Sequence, residues 1–91
     1  MTDTNSVRES IREAIRDSVE RIAGITPAEV LDTSTYRGDL GLDSLSALEV
    51  MVDIEYAFKI KISEERLQTL STVQDTIDVV EEYLSAVRTQ A

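Results

Sequence analysis

A chain with no cysteine and no histidine has few side chains with which to do chemistry. Their absence removes disulfides, thiol and imidazole nucleophiles and the usual zinc sites. Hydroxyls and carboxylates remain, and they meet at one informative place: Asp43-Ser44-Leu45, just after Gly41 and ahead of a stretch dense in apolar residues. For the dipeptide alone, a helix N-cap is the ordinary meaning. A serine at a helix start also points its hydroxyl outward, and an anionic group added there would lie near the positive end of the helix dipole, among backbone N–H groups. Capping and modification are compatible. Ser46, the nearby rival, faces about 160° away from Ser44 at about 100° per residue, so a group attached there would leave from another side.

The remaining carboxylates form no recognisable catalytic set, and the chain is not expected to be an enzyme. Nor is a metal site expected. Asp39, Asp43 and Glu49 resemble scattered calcium ligands, but with Asp39 in the first position Ser44 falls where glycine is required and Val50 where glutamate is.

The 91 residues suit one domain, residues 1–91, with an ordered core at about 6–88 and polar termini. Eighteen acidic against nine basic residues leave a net charge of −9, which disfavours nucleic acid and favours basic protein surfaces as partners. No apolar run approaches a membrane span, and Met1-Thr2-Asp3-Thr4-Asn5 does not read as a signal peptide, so a soluble, cytoplasmic, free-standing monomer is expected.

Four helices position these residues. Ser6-Val7-Arg8-Glu9 has the form of a capping box, and Val7, Ile11, Ala14, Ile15, Val19 and Ile22 recur at helical spacing until Gly24. Opposite them, Arg12, Arg16 and Arg21 alternate with Glu9, Glu13 and Asp17, which reads as a solvated face. Thr26-Pro27-Ala28-Glu29 predicts a short capped turn, and Asp32 to Leu42 a loop. The second helix runs from about Ser44 through Phe58, where Lys59-Ile60-Lys61-Ile62 breaks the pattern as an extended connector. Ser63 caps a short third helix burying Leu67 and Leu70. Thr72-Val73-Gln74-Asp75 caps a fourth, with Val73, Ile77, Val80, Leu84 and Val87 on its apolar face and its end near Arg88.

The second helix carries more apolar surface than a small bundle needs. On a wheel of about 100° per residue, Ala47, Val50, Met51, Ile54, Ala57 and Phe58 form a core stripe opposite Leu45. Leu45, Leu48 and Val52 form a second stripe, bordered by Glu49 and Glu55. Either the loop from Asp32 to Leu42 covers it, or it is a docking surface for basic partners, with Tyr56 at its far end.

Tyr36-x-x-Asp39-Leu40-Gly41-x-Asp43-Ser44-Leu45, followed by Leu48-Glu49, resembles the attachment motif of acyl carrier proteins, and the resemblance continues through Phe58, Ile62, Glu64-Glu65 and Thr72-Val73-Gln74-Asp75. It implies an all-α fold, the family's right-handed bundle of three long helices and one short one. It also implies covalent 4′-phosphopantetheine, taken from coenzyme A, on Ser44, flanked by Asp43 and Leu45. Leu45, Leu48, Glu49, Val52, Glu55 and Tyr56 would dock the partners. Those partners would be a phosphopantetheinyl transferase, an acyltransferase or acyl ligase, a ketosynthase and other enzymes of fatty-acid or polyketide synthesis.

Two related readings stand beside it. Peptidyl or aminoacyl carriers of nonribosomal pathways share the serine but usually have a second glycine where Leu42 stands. An unmodified helical adaptor would use Leu48 and Val52 without any arm. Tyr36 stands where the commonest fatty-acid carriers have Phe and Ser46 where an acid is frequent, while Lys59 and Lys61 make the far end of the second helix basic. These departures point to a specialised partner set.

Overall fold

The computed structural model describes residues 4–90, without the side chains of Thr4 and residues 87–90. Its elements are α1 (Thr4–Ala23), a 3-10 turn (Pro27–Glu29), α2 (Ser44–Phe58), α3 (Glu64–Leu67) and α4 (Val73–Gln90). The fold is all-α, three long helices and one short, as the sequence pattern and the family resemblance predict.

Each boundary has a local cause. Gly24 ends α1 in a left-handed conformation, φ 72°, with its N–H on the Glu20 carbonyl at 2.8 Å. The Asp43 carboxylate caps α2 and the Ser63 hydroxyl caps α3. At α4, Thr72 and Asp75 cap reciprocally: Asp75 N–H donates to Thr72 Oγ1 and Thr72 N–H to Asp75 Oδ2, both at 3.1 Å. Lys59 ends α2 at φ 55°, a position glycine usually fills, and residues 60–63 follow without regular secondary structure.

Some expectations change. The helix α1 starts at Thr4, so Ser6 lies inside it, where its carbonyl accepts the Ser10 hydroxyl. Thr26 makes no side-chain cap; the short turn closes through the Glu29 and Val30 N–H groups. The last helix continues past Arg88 to Gln90, and the Val87 side chain lies outside the described set. Ala57 is exposed, while Val7, Ala47, Phe58, Leu67 and Leu70 are half-buried.

Among the described residues fifteen form the core, including Ile11, Ile15 and Val19 of α1, Val50, Met51 and Ile54 of α2, and Val73, Ile77 and Val80 of α4. The loop ahead of α2 contributes as much as a helix would, through Tyr36, Leu40 and Leu42. Tyr36 is 2% exposed, and its hydroxyl meets Thr76 Oγ1 on α4 at 2.6 Å. Burial raises the phenol pKa, so Tyr36 stays neutral. Backbone bonds add to this seam: Tyr36 N–H to the Ser71 carbonyl, Val73 N–H to Ser34 and Gln74 N–H to Asp32.

On the charged face of α1, Glu9, Glu13, Asp17 and Arg21 are exposed as the pattern predicts, but its arginines also tie the helix to its neighbours. Arg12 grips Asp32 with two bonds of 2.7 and 2.8 Å, and Arg16 donates to the Val30 carbonyl. Arg21 and the buried Ser18 both reach Asp53 of α2.

Arg12, by hydrogen bonding, holds the Asp32 carboxyl below the usual carboxylate range. A depressed carboxylate contributes stability above its unfolded pKa and loses it as pH falls through the folded value. Asp32→Asn is therefore expected to lower stability by about 1 kcal/mol at pH 7, with the gap to wild type closing below about pH 4. Urea melts across that range check this.

Candidate functional site

The anchored loop delivers Ser44 to the first position of α2. Asp39 folds the loop's turn: its carboxylate accepts Thr35 N–H at 2.9 Å while its own N–H reaches Thr35 Oγ1 at 2.8 Å. Gly38 passes so near that a Cβ there would stand 2.8 Å from Thr35 Oγ1. Gly41, at φ 66°, then redirects the chain, and Leu42 N–H closes onto the Tyr36 carbonyl at 2.8 Å. Asp43 follows as N-cap, with Oδ1 accepting Ser46 N–H at 2.7 Å.

Ser44 is exposed, and its Oγ accepts a 2.7 Å hydrogen bond from Arg37 Nη1. A group joined to Oγ would emerge into solvent at the positive end of a fifteen-residue helix. The Asp43 carboxyl is held below its ordinary range, first by the Ser46 backbone N–H and also by the charge of Arg37. Asp43 thus remains an anion that caps the helix, while Ser44 presents an exposed hydroxyl whose described partner is Arg37. Ser46 is half-buried. These residues fit an anionic, serine-linked prosthetic group: an accessible oxygen, a helix start and a nearby guanidinium.

The second stripe of α2 is uncovered. Leu45 is 66% exposed, Leu48 48%, Val52 45% and Tyr56 84%. The loop lies beside this strip rather than over it, because Tyr36, Leu40 and Leu42 are spent on the core. Glu49 borders the strip in the open. Glu55 has a structural task as well: half-buried, it accepts Ile62 N–H at 2.8 Å and fastens the connector. Lys59 and Lys61 are exposed beyond the strip's far end.

Beside Ser44, between the loop, α2 and α3, lies an open groove of about 720 Å³. Tyr36, Ala47, Leu48, Met51, Leu67 and Leu70 give it an apolar lining, and Thr35, Arg37, Ser44, Glu64, Gln68 and Ser71 polar edges. That volume falls within the range of small-molecule sites. Among the described residues, no three acidic side chains gather as metal ligands, and no helix is long and apolar enough to cross a membrane.

Two features of the site escape the sequence patterns. Arg37 is one; its signal was available, since it is the one Lys or Arg between Arg21 and Lys59. The groove is the other, because it depends on how far α3 stands from the loop, which periodicity does not encode.

Comparison with known proteins agrees with this geometry. The family model described as "Phosphopantetheine attachment site" matches residues 13–80. An acyl carrier protein of Thermobifida fusca (strain YX) is 34% identical over 71 residues, covering 78% of this chain and 90% of the relative.

The two stripes of α2 should separate in stability measurements. Leu48→Ser and Val52→Ser are expected to change unfolding free energy by no more than about 0.5 kcal/mol, whereas Ile54→Ala costs about 2–5 kcal/mol. Denaturant midpoints measured on the three variants decide the matter.

Proposed function

We propose, for a chain that belongs to the acyl carrier protein family, that Ser44 is the residue bearing 4′-phosphopantetheine and that Leu45, Leu48, Val52 and Tyr56 form the surface partners read. The family's prosthetic group is phosphopantetheine, and its members are carriers that work with a phosphopantetheinyl transferase and synthase enzymes. The observation that carries the assignment is the exposure of Ser44 Oγ at the first position of α2, beside an unburied apolar strip and at the edge of the groove.

In the loading step, Ser44 Oγ attacks the phosphorus of coenzyme A that bears the pantetheine. A new O–P bond forms as the pyrophosphate P–O bond breaks, 3′,5′-ADP leaves, and the serine proton passes to a base of the transferase. The Asp43 carboxyl, held below its ordinary range first by the Ser46 N–H, is a weak base, and its part in this step is to hold the helix start. The arm, once attached, supplies a thiol that carries acyl groups as thioesters.

This chain then contributes position, address and shelter. A flexible arm fixed at one point raises the effective concentration of cargo at each docked enzyme. The acidic surface speeds encounter with basic partners, and the small apolar strip supplies modest affinity, a combination suited to repeated docking and release. The groove beside Ser44 offers cargo an apolar lining. The basic far end at Lys59 and Lys61 favours partners of a specialised acyl or polyketide pathway, with a ketosynthase and an acyltransferase or acyl ligase among them. The chain acts as one carrier domain and as a monomer, in keeping with its single core.

Intact mass spectrometry after incubation with coenzyme A, Mg²⁺ and a broad-specificity transferase tests the attachment. Wild type and Ser46→Ala should gain one phosphopantetheine and Ser44→Ala none. An unmodified wild type, or full modification of Ser44→Ala, would overturn it. Leu48→Glu or Val52→Glu should slow loading by on the order of tenfold or more while leaving the circular dichroism spectrum unchanged, as expected for exposed contacts of a docking face.

A further inference from the structure

The arginines whose side chains are described have three kinds of partner: carboxylates, the Val30 carbonyl that Arg16 holds, and, for Arg37, a hydroxyl. Arg8, Arg12, Arg21 and Arg66 each pair with a carboxylate. Arg37 makes no ion pair among the described residues, and its recorded contact is the 2.7 Å bond to the neutral Ser44 hydroxyl. Arg16, Lys59 and Lys61 also stand outside the ion pairs of the described residues, so what sets Arg37 apart is its partner, a serine hydroxyl at the start of a helix.

Arg37 is also held in place. It sits between Tyr36, which is locked into the core, and Gly38, whose close approach to Thr35 fixes the turn. The loop thus carries a guanidinium to the single oxygen that would become a phosphate ester. A phosphodiester there adds a negative charge next to Asp43, an arrangement that the helix dipole alone offsets only in part.

We infer that Arg37 is a positioning residue for the phosphodiester of the arm, exchanging its bond to the Ser44 hydroxyl for charge-assisted bonds to the non-bridging phosphate oxygens. This rests on the reading of Ser44 as the attachment point. The exchange is chemically favoured: esterified Oγ is a poor acceptor, whereas the phosphate oxygens lie one bond further out and carry the charge. A planar guanidinium with five N–H donors matches two such oxygens at once. With its base held, the arm would leave Ser44 in a restricted direction, along the groove that Arg37 also borders.

The phosphorus nucleus of the loaded protein reads this directly. Wild type, Arg37→Gln, Arg37→Lys and Arg21→Gln would be loaded with excess transferase, and the loaded fraction of each confirmed by intact mass and circular dichroism. Arg21→Gln removes the same unit charge from a side chain that pairs with Asp53, nine residues along α2 from Ser44. The ³¹P resonance should be broadened and displaced from that of free phosphopantetheine in wild type and Arg21→Gln. In Arg37→Gln it should narrow and move toward the free position, with Arg37→Lys between the two. A ³¹P signal in Arg37→Gln identical in shift and width to wild type overturns the role of Arg37, even though loading has succeeded. Failure of wild type to load at all would instead refute the attachment assignment on which the role rests.

Discussion

A tyrosine hydroxyl buried in an apolar core needs a partner, and the rest of the site follows from where Tyr36 finds one. Its bond to Thr76 fixes the loop to α4 at a single depth. The neighbouring backbone bonds from Tyr36, Val73 and Gln74 fix the register. From that anchor the chain has just enough residues to make the Thr35–Asp39 turn, bury Leu40 and Leu42, and present Asp43 as the cap of α2. Ser44 is therefore exposed by construction: the loop's apolar side chains are drawn inward, and the helix begins where the loop leaves the core.

The same anchoring explains why α2 keeps an uncovered apolar strip. A loop free to drape could have buried Leu45, Leu48 and Val52, but this one lies beside the strip with its apolar side chains committed to the core. Leaving about half to two thirds of each side chain exposed forgoes burial worth on the order of 1 kcal/mol each, a cost that the proposed docking role would account for. On the proposed reading the acidic surface steers those encounters, while Arg37 holds a positive charge beside the oxygen that would carry the arm.

Much of this was legible in the sequence. Helical spacing located all four helices, and cap chemistry placed the start of α2 at Ser44 and that of α4 at Val73. The wheel separated Val50, Met51 and Ile54 from Leu45, Leu48 and Val52 correctly, because a central helix states its two faces through period alone. What escaped depends on tertiary contact. Tyr36, Leu40 and Leu42 enter the core from a segment without periodicity. Arg12, Arg16 and Arg21 read as a solvated face because their partners, Asp32, the Val30 carbonyl and Asp53, lie on other elements. Near the end of α2 the stripe reaches the edge of the core: Phe58 still packs against it, half-buried, while Ala57 is exposed.

The central claim is a covalent bond at one oxygen, and site-resolved mass spectrometry tests it most directly. The protein is loaded from coenzyme A, digested, and the peptide spanning Asp43 to Glu49 fragmented so that every hydroxyl is bracketed by cleavages. The account predicts that all of the added phosphopantetheine lies on Ser44, with Ser46 unmodified. The arm on Ser46, or on a hydroxyl outside this peptide, would contradict it.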